Sequence, residues 1–162
     1  KGATEGAAGV FRCWNPEKLL AVTEETRKNC DFLVVYIHWG TENVAEADWA
    51  QLDQAPKIAQ AGADLIIGDH PHCLQGIQYF GETPVFYSLG NFWFNSKTLD
   101  TCLLKVTLTD SRIESMTFIP VVQSGCYTSL AEGEEGQRVI SYMNSLSTGV
   151  FIGSDGSISR QE

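Results

Sequence analysis

The chain contains three histidines, and all of them stand at or just beyond the end of a short apolar run. His70 and His72 lie two positions apart in "DLIIGDHPHCLQG", and His38 closes the run in "VVYIHWGTEN". Imidazole is a good ligand for zinc, iron and similar ions, and three imidazoles suffice for a metal site that keeps an open position. In open α/β sheets, functional groups gather where loops leave the carboxyl ends of strands. If the two apolar runs are neighbouring parallel strands, their loops emerge from one sheet edge and the three rings converge. Residues i and i+2 of an extended segment point to opposite faces, so His70 and His72 cannot simply share one. They could serve two different ions, or one could supply an outer contact, with Gly68 and Pro71 bending the loop inward. A lone histidine after a strand is ordinarily a packing or surface residue. The coincidence of all three is what points to metal.

Glu42 and Asp69 are the carboxylates nearest these histidines in sequence. Either could orient a ligand or accept a proton, and either could simply face solvent. Trp39 and Trp93 could wall the site, although aromatics after strands usually serve packing. The five cysteines are scattered, odd in number and never paired as C-x-x-C, so they read as reduced structural thiols. Only Cys73, beside His72, invites comparison with a nucleophile, and no neighbour supports that role. There is no phosphate-binding P-loop and no G-x-S-x-G elbow.

The elements that must position the histidines follow from periodicity and end signals. Asn15-Pro16 is an N-cap and first-turn proline opening a helix through about Asn29. "DFLVVYI" (31–37) is a continuous β-branched apolar run, the pattern of a strand buried on both faces. "DWAQLDQAPKIAQAG" (48–62) reads as an amphipathic helix with Asp48 as N-cap and Gly62 closing it, and Pro56 predicts a kink or break. "ADLIIG" (63–68) is a second buried strand, completing a right-handed βαβ unit. Beyond it come a hairpin around Gly81-Glu82, a second around Asp110-Ser111 within 101–122, a helix over 134–147 and a short strand pair around "GSDGS". The acidic run "EGEEG" is a solvated helix start. The expected fold is mixed α/β: a sheet covered by helices on one side, with a second sheet on the other.

With 162 residues and 43% hydrophobic content, the chain can build one domain with a real core. Its net charge of -9 and lack of a basic cluster argue against nucleic acid or an anionic membrane surface as partner. No apolar stretch approaches the roughly 18 residues of a membrane span. The chain opens on Lys1, so it reads as a piece of a longer protein.

Three motifs occur in order: H-W-G-x-E at His38, G-A-D-x-x-I-G-x-H-P-H-x-x-Q across 62–75, and Y-S-L-G-N-F across 87–92. Together they resemble the CapA, or poly-γ-glutamate capsule synthesis, family, most strongly over residues 31–95. The resemblance implies part of a calcineurin-like metallophosphatase β-sandwich flanked by helices, with a two-metal site in which a bridging hydroxide attacks a phosphoryl group. Mapped onto this sequence, His38, His70 and His72 take the positions of histidine ligands for two divalent transition ions, with Mn, Fe and Zn undistinguished. Asn91 matches a motif residue implied to shape the site floor, and it joins Glu42 as a catalytic candidate. The position of Asp69 often holds another histidine in such proteins, so it receives no ligand role. The aspartate-rich and "N-N-H" motifs of the first half of that fold do not occur here. Residues 1–162 are thus expected to form the carboxy-terminal half of the domain, completed by an amino-terminal half in the same or a separate chain. The resemblance further implies capsule synthase components or poly-γ-glutamate as partners, and an extracytoplasmic location with tethering through an amino-terminal segment. A non-catalytic scaffold of capsule synthesis is the alternative, and a plain interaction module the third reading.

Overall fold

The computed structural model describes residues 2–161. Helix α1 (Pro16–Arg27) begins where the Asn15 side chain accepts the Lys18 amide, as its Asn-Pro start predicts. Strand β1 (Val34–His38) starts three residues later than its apolar run, because the Asp64 carboxylate takes the Leu33 amide at 2.7 Å. Helix α2 (Trp49–Gln60) opens on a complete capping box between Asp48 and Gln51. It then runs without a break through Pro56, contrary to one of the two outcomes that proline predicts. Ala55 and Ile58 are wholly buried on either side of Pro56, and packing of that face carries the helix past the lost hydrogen bond. Strand β2 (Leu65–Asp69) follows, then the hairpin of β3 (Leu74–Phe80) and β4 (Thr83–Leu89).

These strands form one sheet in the order β1-β2-β4-β3. β1, β2 and β4 are parallel, and β3 is antiparallel at the far edge. A second sheet joins β5 (Leu99–Thr109), β6 (Arg112–Ser124) and β7 (Tyr127–Leu130). Helix α3 (Gly133–Leu146) and the short pair β8 (Val150–Ile152) and β9 (Ile158–Arg160) complete the described chain.

The first sheet is buried from two sides, as expected of a helix layer and a second sheet. On one side Ile37, Ile66, Val85 and Tyr87 pack with Leu19 of α1 and with Ala55 and Ile58 of α2. On the other, Leu65, Ile77 and Phe86 meet Cys102, Met116 and Phe118 of the second sheet and Val139 and Met143 of α3. Each fully buried Phe, Leu or Ile contributes about 1.5–3 kcal/mol, so the two layers fix the sheet and its loops firmly. β1 departs from expectation. Its apolar run predicts burial on both faces, yet only Ile37 of its five residues is buried, and Val34 and Tyr36 are exposed. β1 lies at the sheet edge, and the second sheet packs on β2, β4 and β3 without covering it. One side of its Val-Val-Tyr-Ile-His run is therefore open.

Candidate metal centre

The parallel arrangement of β1, β2 and β4 sends their carboxyl ends to one edge of the sheet. His38 ends β1, Asp69 ends β2 and is its register partner, and the turn after β4 carries Asn91. β3 runs the other way, so its entry, with His72 and Cys73, returns to the same edge. The His38 and His70 ring centroids lie 4.5 Å apart, and those of His70 and His72 lie 6.0 Å apart. The convergence expected from the two βα-type loops is realised.

The alternation that should separate His70 from His72 is broken by the backbone. His70 has φ +98° and His72 has φ +60°, flanking Pro71, in a region that non-glycine residues rarely occupy. Such conformations cost about 1–3 kcal/mol each and persist where surrounding structure dictates them. Here the turn is tied down by the Asn43 amide, which donates to the Pro71 carbonyl at 2.7 Å, and by Ser88 Oγ, which donates to the Cys73 carbonyl at 2.7 Å. The preceding Gly68 is obligatory for space. A methyl group there would overlap Trp39 Nε1 and the Tyr87 carbonyl, which are joined by a 3.0 Å hydrogen bond.

Two of the rings are oriented through Nδ1. His38 Nδ1 meets Asp69 Oδ1 at 2.7 Å, and His72 Nδ1 meets Asn91 Oδ1 at 2.8 Å. A carboxylate or amide oxygen can only accept, so in the neutral ring Nδ1 carries the proton and Nε2 keeps its lone pair. That is the arrangement found where histidine binds a metal through Nε2. The Asp69 carboxylate also accepts from the Tyr36 hydroxyl at 3.0 Å, and burial, then Asp69 itself, pushes the Tyr36 phenol up from its ordinary value. The Phe94 ring packs on His72 with centroids 4.7 Å apart. A cleft of about 300 Å³ opens beside His38 and His70, with Trp14, Trp39 and Asp48 in its walls.

Two buried glutamine anchors hold the loops that frame this edge. Gln51 Nε2 donates to Gln75 Oε1 at 2.8 Å, and Gln75 in turn holds the carbonyls of Val44 and Glu46 in the loop after β1. Gln123, wholly buried on β6, accepts the amides of Phe94 and Asn95 and donates to the Lys97 carbonyl. The loop bearing Asn91 and Phe94 is thereby fixed to the second sheet.

Of the residues singled out in the sequence, His38, His70, His72 and Asn91 come together, with Asn91 orienting His72. Glu42 is exposed and bonds to none of them. Trp39 lies buried beneath the site, whereas Trp93 is exposed and donates to the Cys126 carbonyl. All five cysteines are unpaired, and burial, then Glu46, raises the Cys73 thiol, which disfavours a thiolate nucleophile. Tyr36, Phe94, Gln75 and Gln123 went unassigned in the sequence. Tyr36 had a signal, since i and i+2 on a strand share a face and it lies two before His38.

The donor chemistry suits divalent transition ions: three converging imidazoles, two of them with Nδ1 held by an oxygen acceptor so that Nε2 is the atom left to bind. Among the described residues, no three His, Cys, Asp or Glu side chains are grouped to hold an ion by themselves. The donor set thus fits part of a centre, to which further ligands must be added.

Fold and edge together define an α+β protein with a histidine cluster at the carboxyl ends of a parallel sheet. Residues 3–96, more than half of the chain, match the family described as bacterial capsule synthesis protein PGA_cap. The chain belongs to that family. It is 38% identical over 109 residues to the PGA biosynthesis protein CapA of Bacillus subtilis (strain 168), covering 65% of this chain and 28% of that protein. It is 32% identical over 133 residues to the capsule biosynthesis protein CapA of Bacillus anthracis, covering 77% and 32%. The chain therefore spans under a third of the length of either relative. No helix among the described residues is long and apolar enough to cross a membrane.

Proposed function

We propose that this chain is the carboxy-terminal half of a metallophosphatase-like domain acting in poly-γ-glutamate capsule biosynthesis. In this reading His38, His70 and His72 supply its share of ligands to a centre of two divalent transition ions. The observation that carries it is the convergence of three imidazoles, two of them with Nδ1 fixed by Asp69 and Asn91 and Nε2 left free. Metal ions in such a centre supply a nucleophilic hydroxide at neutral pH and polarise a phosphoryl oxygen. The chain's own residues orient the ligands and wall the cleft, and Trp39 and the buried glutamines hold that wall in place. The remaining ligands come from an amino-terminal half in the same or a separate chain. That half, other capsule synthase components and the polymer itself are the proposed partners, at an extracytoplasmic location. Family membership supports the capsule role, and the longer relatives support the missing part.

A non-catalytic scaffold is the competing reading, favoured by the lack of a self-sufficient ligand group among the described residues. Turnover separates the two. A longer version of the chain, including the amino-terminal half, should hydrolyse a generic phosphoester in the presence of Mn2+ or Zn2+. His70→Ala should lower that rate at least about 100-fold. A metal-loaded longer protein with no turnover beyond the metal-free background would leave the scaffold.

A further inference from the structure

We infer that Tyr36 is a positioning residue that, through Asp69, sets the tautomer and orientation of His38. The inference rests on the reading of His38 as a ligand and adds to it a residue outside the three motifs. Tyr36 and His38 point to the same side of β1, and Asp69 is the register partner of His38 on β2. The two Asp69 oxygens are divided between them: Oδ1 accepts from His38 Nδ1 at 2.7 Å, and Oδ2 accepts from the Tyr36 hydroxyl at 3.0 Å. The terminal torsion of an aspartate is soft, so one hydrogen bond to an exposed ring would leave the carboxylate free to turn. His38 is such a ring, with its side chain 68% exposed. A second bond on the opposite oxygen removes that freedom. Asp69 then presents one oxygen edge-on to Nδ1, keeps the proton there and aims Nε2 away, with His70 alongside at 4.5 Å. A free imidazole prefers its proton on Nε2, so the Nδ1–H form must be imposed. Tyr36 is itself 64% exposed, so its hydroxyl is not there for the core.

The test is a long-range proton–nitrogen NMR correlation of the imidazoles in this chain without metal at mildly alkaline pH. A Zn2+ titration of wild type, Tyr36→Phe and Asp69→Ala accompanies it. The phenylalanine variant loses one exposed oxygen and keeps the fold, which the amide spectrum verifies. The wild type is expected to show His38 protonated on Nδ1. Asp69→Ala should move the proton to Nε2, and Tyr36→Phe should give a mixture. Zn2+ affinity should fall about 10- to 100-fold in Asp69→Ala and about tenfold in Tyr36→Phe. An unchanged His38 tautomer in Tyr36→Phe overturns the inference, as does a shifted tautomer with undiminished Zn2+ affinity. If wild type binds Zn2+ neither alone nor with the amino-terminal half present, the metal reading fails on its own, and the tautomer alone decides the role of Tyr36.

Discussion

The turn between β5 and β6 and the turn after β2 share an uncommon backbone feature for opposite reasons. Asp110 and Ser111 have φ +49° and +60°, and Thr109 pairs with Arg112 across them. A two-residue hairpin of this kind demands positive φ at both central positions, and short polar residues tolerate it. His70 and His72 have φ +98° and +60°, yet no hairpin requires it, and residues other than glycine take such a conformation only at a cost. In the first turn the backbone serves the connection. In the second it serves the rings, bringing side chains to one side that an extended chain would place on opposite faces. Strained residues of this kind cluster at sites where the surrounding structure dictates the conformation.

The comparison can be broken or sharpened by substitution. The largest effect is expected beneath the hairpin, where Phe118→Ala empties a wholly buried site and should cost about 3–5 kcal/mol in urea unfolding. At the histidine edge, Gly68→Ala should cost about 1–3 kcal/mol, because the added methyl meets a backbone carbonyl and the Trp39 indole. His70→Gly has the opposite sign. Relief of its positive φ should raise stability by about 0.5–1 kcal/mol while lowering metal affinity, and a net loss of stability would show that the ring packs rather than strains.

The last prediction concerns pH, and at neutral pH its effect vanishes. Burial pushes the Cys102 thiol from 9.0 up to about 12, so the fold favours the neutral thiol. Its contribution is whole below pH 9.0, where the unfolded thiol is also neutral, and is lost as the pH rises towards about 12. Cys102→Val should flatten the alkaline decline in stability over that window, followed by urea midpoints at successive pH values.

Much of this architecture was legible in the sequence because local signals and global packing agree. Asn15-Pro16, Asp48 with Gln51, and the turn at Asp110-Ser111 each act through neighbours only a few residues away. The open face of β1 was not legible, since an apolar run reports the strand and not which neighbours cover it. The candidate site divides the same way. His38, His70, His72 and Asn91 stand at strand ends or in quotable motifs, and their convergence follows from parallel topology. The Tyr36–Asp69 contact depends on the β1–β2 register, and the Gln123 anchor ties β6 to residues 28 and 29 positions away in the loop after β4. Side-chain alternation even pointed away from the histidine pair meeting, because it assumes the extended backbone that both residues abandon.

The most direct test is metal content by elemental mass spectrometry, without chelators, on a longer protein that includes the amino-terminal half and on its His70→Ala and His72→Ala variants. Bound transition metal in the wild type that drops sharply in both variants, with the fold intact by circular dichroism, is the predicted result. Equal metal content in all three would contradict the account and leave the histidines as architecture.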